Sequence, residues 1–251
     1  MKTQIRLWMG TMVVALLFVS AATLQAADDA TFAKANQAYS EGRFQEAVDG
    51  YQGFVEAGRW NANLFYNLGN AWFRVGDFGK AILNYERARA LDPHHPEASA
   101  NLRLARDEAR ALELRKNGME LYVAMATPTQ YAVAAAIAFW FVLFGVTRLF
   151  FSPRRSAGRL AMIAFATAGC VLFIFALYTL ENGAQGRALA IVTGKDIEAR
   201  VATADSASSV LTLPPGSEIK VLSERGEWVY AALPNEQRGW IPARAVERVR
   251  L

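Results

Sequence analysis

The sequence predicts a multidomain membrane protein: an all-α helical-repeat solenoid, a two-helix transmembrane hairpin and a small all-β barrel. Three observations carry that expectation. Two apolar runs lie back to back between Tyr131 and Leu180, a 34-residue period precedes them, and short strand-like runs punctuated by turn residues follow. With 53% hydrophobic residues in a chain of 251, the composition suits soluble modules attached to a small membrane part. The net charge of +4 includes no basic run long enough to suggest nucleic acid.

Residues 1–26 read as a secretory signal peptide. Lys2 and Arg6 form its basic end, Met9 to Val19 its apolar region, and Ala21 to Ala27 a small-residue segment. Cleavage is expected after Ala26, although Leu24 stands where a small residue is preferred. A retained anchor is the alternative, and either choice exports Asp28 onward.

The next stretch repeats itself. Gly42, Phe44, Ala47 and Tyr51 recur 34 positions later as Gly76, Phe78, Ala81 and Tyr85. This period resembles tetratricopeptide repeats, with Leu68-Gly69, Trp72, Ala81, Tyr85, Ala88 and Pro93 at the signature spacings. The resemblance implies a repeat domain over 28–116, with helix pairs at about 28–61 and 62–95 and a capping helix over 96–115. Gly69 and Ala81 would let paired backbones approach, while Trp72 and Tyr85 fill the space between. Pro93 ends the second pair, because it lacks a backbone donor and disfavours helix in the residue before it. A cap is expected because an open solenoid end exposes an apolar face.

Phe32, Asn36 and Tyr39 recur as Tyr66, Asn70 and Phe73, and the spacing of i, i+4 and i+7 puts each trio on one helical face. In this repeat family the first helix of each pair lines the concave surface. The candidate peptide-binding groove is therefore Phe32, Asn36, Tyr39, Asn63, Tyr66, Asn67, Asn70, Phe73 and Arg74. Asparagines there would pair with the backbone of an extended peptide while the rings supply apolar area; packing between repeats is the competing role. Some relatives clamp a terminal carboxylate, and Asn36 and Asn67 match two clamp positions. Phe32, Glu97 and Asn101 stand where that clamp needs basic side chains, so the clamp itself is not expected.

The hairpin comprises transmembrane helix 131–151, a loop over 152–159 and transmembrane helix 160–180. The second run has 21 residues (160 through 180) without charge, and ten are Leu, Ile, Phe or Val. On an insertion scale those ten favour the bilayer by roughly 3 to 6 kcal/mol. Arg148, Arg154, Arg155 and Arg159 gather at the connection, which the positive-inside rule assigns to the cytoplasm. Both soluble parts then lie in the periplasm of a bacterial inner membrane protein. Cys170, the single cysteine, falls in the second run and reads as a small buried hydrophobe. His94 and His95 read as a solvated interhelical turn without further metal ligands. No Ser, His and Asp constellation stands out, so no enzyme, metal or cofactor is expected.

Over 187–251, strands are expected at Ala188–Val192, Glu198–Val201, Val210–Leu213, Glu218–Ser223, Trp228–Leu233 and Gly239–Ile241. Pro214-Pro215-Gly216 and Pro234-Asn235 punctuate them. The order Val210 to Gly216, Ile219 to Leu222, Gly226 to Val229 and Gly239 to Ile241 resembles a bacterial SH3 domain, which implies a small closed barrel. Trp228, Tyr230 and Trp240 are its candidate surface or core aromatics, with packing favoured for the two tryptophans.

Taken together, signal, repeats, hairpin and β domain resemble the BatE family of the bacterial Bat aerotolerance systems. That resemblance implies partners among von Willebrand A-domain membrane proteins and, indirectly, a MoxR-type AAA+ ATPase. The expected function is a non-enzymatic inner-membrane scaffold that binds protein partners through its repeats and SH3-like domain. The alternative is an envelope anchor or sensor that binds peptidoglycan.

Overall fold

The computed structural model describes residues 30–115, 123, 126–151, 157–182 and 186–250. The expected signal over 1–26 and residues 152–156 of the loop lie outside them. The described chain opens with helices α1 (30–40), α2 (Phe44–Glu56), α3 (Ala62–Val75), α4 (Phe78–Leu91) and α5 (Pro96–Ala109). Helix α1 meets α2 through the Phe32–Tyr51 and Asn36–Tyr51 contacts, α2 packs on α3, α3 pairs with α4, and α5 packs on α4.

Local chemistry fixes the helix ends. Asn61 Oδ1 accepts from the Leu64 N–H at 2.9 Å and Asp77 Oδ1 from the Lys80 N–H at 3.1 Å, satisfying first-turn donors that have no helical partner. Gly76, at φ 87°, closes α3 in the left-handed conformation that glycine adopts without strain. Between α3 and α4 the backbones approach so closely that a Cβ at Gly69 would stand 2.7 Å from the Tyr85 ring. Tyr51, Leu68, Trp72, Ile82 and Tyr85 fill the helical core around these contacts.

The capping helix is shorter than the sequence suggests. It stops at Ala109, where Arg110 turns left-handed at φ 52° and its N–H bonds back to the last turn. The physical reason lies downstream. Residues 111–115 leave the helix to run beside the β domain: the Leu112 N–H donates to Ser217 Oγ at 3.1 Å, and the Glu218 N–H donates to the Leu112 carbonyl at 2.9 Å. Leu112 thereby enters the core of the sheet.

Helices α6 (Pro128–Phe151) and α7 (Ala157–Asn182) form the apolar hairpin. At 1.5 Å per residue, 24 and 26 residues extend about 36 and 39 Å, beyond the roughly 30 Å of a hydrocarbon core. Small residues join them: a Cβ at Gly145 would lie 3.1 Å from the Ala166 Cβ, and one at Gly169 3.0 Å from Val142 Cγ2. Trp140, Phe144, Val171 and Ile174 point outward instead. Small residues inside and large apolar residues outside is the arrangement that lipid, rather than water, favours.

Strands β1 (Leu189–Val192), β2 (Ile197–Arg200), β3 (Ser209–Leu213), β4 (Glu218–Arg225), β5 (Trp228–Ala232), β6 (Arg238–Pro242) and β7 (Val246–Arg248) form one antiparallel sheet in the order β3-β2-β6-β5-β4-β1-β7. This corrects the expected SH3-like barrel. The sheet is open, with β3 and β7 as unpaired edges. Its geometry follows from what covers β1. Ala190 and Val192 face the sheet's own core, whereas Leu189 and Ile191 belong to the core of the helical repeats. All four residues of β1 are buried, so the strand is a continuous apolar run between two layers. Helix α4 thus covers the outer face of β1, while Leu112 packs against the sheet's own core on the other side.

The fit is tight. A Cβ at Gly216, which has φ +84°, would overlap Ile82 Cδ1, and one at Gly79 would lie 3.1 Å from the Thr193 carbonyl oxygen. A buried ion cluster reinforces the contact. Arg106 bonds Glu218 and also Glu86 (2.6 Å), and the Leu114 N–H donates to Glu218 at 3.1 Å. Burial raises the Glu218 carboxyl above the usual range, against the opposing pull of the Arg106 charge.

Candidate partner-binding face

The docked sheet divides the repeats into two unlike sides. On α4 every residue from Ala81 to Ala88 is buried, because α3 and α5 flank it and the sheet lies against it. The first helices of the pairs, α1 and α3, with α5 beside them, carry the groove residues expected from sequence. Much of that set is already engaged internally. Asn36 Oδ1 accepts from the Tyr51 hydroxyl at 2.7 Å, and 34 residues later Asn70 Oδ1 accepts from the Tyr85 hydroxyl at 2.8 Å. Asn101 Nδ2 donates to the same Asn70 oxygen at 2.8 Å, tying α5 to α3. Each repeat therefore spends its asparagine carbonyl on the tyrosine of its own second helix.

Burial keeps those tyrosines neutral. It pushes the Tyr51 hydroxyl up to about 12 and raises Tyr85 further, with the Asn101 amide opposing the shift. Both phenols hence remain donors throughout the accessible pH range, and a buried hydroxyl with its acceptor in place contributes about 1 kcal/mol.

The aromatic members pack in the same way. Phe32 lies 5.7 Å from Tyr51 and 5.8 Å from Phe54, ring centroid to centroid. Tyr39 meets Phe44 at 5.4 Å, and the Arg74 guanidinium covers that Phe44 ring at 4.5 Å. Phe73 contacts Phe78 at 5.3 Å. Tyr66 stacks on His95 at 4.9 Å. His95 is not solvated as expected: it is buried, and its Nδ1 accepts from the Ala98 N–H at 3.3 Å to cap α5. His94 is exposed in the same turn.

Two residues of the expected groove differ from the rest. Asn63 is exposed and Asn67 half-buried on α3, and among the described residues neither amide meets a side-chain or backbone partner. Arg74 is exposed at the other end of the helix, with the Phe44 ring beneath it. Together they form a polar strip along α3, with the half-buried Tyr66 between them. Asn101 also belongs to this face. It stands 34 residues after Asn67, one repeat period along the sequence.

In the β domain, Trp228, Tyr230 and Trp240 are not core residues. Val229, Ala231 and Ile241 point inward, and strand alternation places the three aromatics on the outer face, half-buried. Tyr230 pairs with Trp240 across β5 and β6, and their rings meet at a tilt of 36° with centroids 4.9 Å apart. Trp228 lines a separate open cavity of about 410 Å³ with Asp205, Glu227 and Arg244. Among the described residues, no three of His, Cys, Asp and Glu converge as a metal site requires.

The tetratricopeptide repeat family model matches residues 62–95, which span α3, α4 and the turn up to His95. No curated protein matches the chain. The chain carries a tetratricopeptide repeat beside two apolar helices long enough to span a membrane.

Proposed function

We propose that the protein is a non-enzymatic membrane scaffold whose α1–α3–α5 side binds the soluble domain of a membrane partner. The observation that carries this reading is the asymmetry of the repeats. The sheet occupies the α4 side, while Asn63, Asn67 and Arg74 stay accessible with unspent hydrogen-bonding capacity. Because Asn36, Asn70 and the stacked rings are held from behind, the face is rigid, and a rigid face loses little conformational entropy on binding. The hairpin supports the same reading: it confines the face to a thin layer beside the membrane, which raises its effective concentration toward other membrane proteins.

The partner class we propose is a von Willebrand A-domain membrane protein of a Bat-type assembly, with both soluble units of this chain on the periplasmic side. A MoxR-type ATPase would then act only through that partner. Replacing Asn63 and Asn67 together with alanine tests the reading. Recovery of the partner with detergent-solubilised protein should fall at least several-fold while membrane insertion and thermal stability hold. Undiminished recovery from the folded double variant contradicts it.

The outward Tyr230–Trp240 pair favours a second reading, a peptidoglycan contact made by the open sheet, since outward aromatic rings offer apolar faces to sugar rings. Retention of the intact protein on isolated sacculi, lost on Trp240→Ala, would support that role.

A further inference from the structure

Three arginines from distant parts of the chain meet in one cavity at the foot of the soluble units. The cavity measures about 180 Å³ and is lined by Arg87, Arg187 and Arg250 together with Trp60, Phe65 and Leu91. Arg87 comes from α4, Arg187 from the segment after α7 and Arg250 from the end of the sheet, so docking of the sheet on the repeats assembles the site. Among the described residues no carboxylate lines it, although Glu247 pairs with Arg87 from beside it.

The arginines are only partly answered by the protein. Arg87, with a side chain 9% exposed, donates from Nη2 to Glu247 Oε2 at 3.3 Å and to the Arg248 carbonyl at 3.1 Å. Its Nε is buried without a partner among the described residues, and so is the Nε of Arg250. Burial lowers both guanidinium groups; Glu247 opposes the shift at Arg87, whereas the neighbouring Arg187 charge lowers Arg250 further. Glu247 answers only Arg87, so an anion in the cavity would offset the charges of Arg187 and Arg250. The planar guanidinium fork matches phosphate in particular, by paired charge-assisted hydrogen bonds.

The location narrows the source of the anion. The Arg187 N–H donates to the Leu180 carbonyl at 3.1 Å and the Ala188 N–H to that of Glu181 at 2.9 Å. Arg187 is therefore held against the last turn of α7, where the apolar span ends. Arg248 Nη1 grips the Arg187 carbonyl at 3.2 Å and fixes the segment. Phosphates of a bilayer lie just beyond its hydrocarbon core, in a layer about 5–8 Å deep on each side. Trp60 and Leu91, both exposed, add apolar surface to the cavity, and tryptophan favours that interfacial layer. A volume of 180 Å³ is many times the ~10–15 Å³ that one water requires.

We propose that Arg87, Arg187 and Arg250 bind the headgroup phosphate of an anionic membrane lipid, which fixes the soluble head against the bilayer surface. The site is separate from the α1–α3–α5 face and independent of its role.

The test uses the full-length protein in a non-ionic detergent, titrated with dioctanoyl phosphatidylglycerol and followed by native mass spectrometry. Arg187→Gln and Arg250→Gln should each weaken binding about 10-fold or more, with thermal transitions unchanged. Dioctanoylglycerol, which lacks the phosphate, should show no arginine-dependent binding. If either glutamine variant fails to fold, Arg250→Lys keeps the charge but loses the fork and should bind with intermediate affinity. Equal lipid binding by folded wild type and variants would overturn the proposal. Arginine-dependent binding of inorganic phosphate without binding of the lipid would overturn the lipid assignment.

Discussion

Replacing Arg106 with leucine removes the cation that bridges Glu86 and Glu218 where the repeats meet the sheet. The three side chains are 12%, 7% and 9% exposed, so the two carboxylates would be left with little water to solvate them. Deleting one partner of such a buried group destabilises by about 3–5 kcal/mol. Two contacts soften the loss: Arg89 stays 3.4 Å from Glu86, and the Leu114 N–H still donates to Glu218. The lower end, about 3 kcal/mol, is the expectation. At ~2–4 °C per kcal/mol for soluble units of about 150 residues, the thermal transition should fall by about 6–12 °C. Intrinsic fluorescence melts of the detergent-solubilised protein read this directly.

The loss should also depend on pH. The Glu218 carboxyl is raised in the folded state by burial, with Arg106 opposing the shift. The native state therefore holds the proton more tightly than the unfolded chain does. The stability this group contributes is complete below the ordinary carboxylate range and is lost as pH rises through the raised folded value. Without Arg106 that value rises further, so the variant should regain more stability than wild type as pH falls toward the ordinary carboxylate range. A decrease below about 1 kcal/mol, with the same pH profile as wild type, would refute the view that this cluster clamps the two units.

Gly69→Val should destabilise the repeats by at least ~1–3 kcal/mol, because its first added carbon already meets the Tyr85 ring at 2.7 Å; a thermal melt measures it. Tyr85→Phe should cost about 1 kcal/mol, and less when Asn70→Ala is already present, because the hydroxyl then has no acceptor to lose; a double-mutant cycle reads the coupling. Alkaline phosphatase fused after Arg115 should be active in cells and inactive when fused after Arg155, as a periplasmic repeat domain and a cytoplasmic loop require.

The repeats and the apolar hairpin were legible for different physical reasons. Each repeat reuses one packing solution, so Gly42, Ala47 and Tyr51 must reappear 34 residues on, whereas the hairpin is marked by composition alone. Strand positions were marked by Pro214 to Gly216 and Pro234-Asn235, but the closure of the sheet was not. Closure depends on what covers the second face of β1, and that cover comes from the helical repeats, with α4 about a hundred residues away. Strand β7 was missed because Val246–Arg248 is three residues long and two-thirds charged. The asparagine face was legible as a pattern, but its use was not: the spacing that offers Asn36 and Asn70 to a peptide also brings them to Tyr51 and Tyr85. The arginine cavity left no local trace, since Arg87, Arg187 and Arg250 meet only when the sheet docks.

Photo-crosslinking in living cells tests the partner face most directly. A photoreactive benzoylphenylalanine placed at Asn63 or Asn67, and for comparison at the exposed Asp49 of α2, would report what touches each side. A partner seated on α3 should give one discrete membrane-protein adduct from positions 63 and 67 and none from position 49. Adducts of equal yield from all three positions, or none from 63 and 67 in a correctly inserted protein, would contradict it.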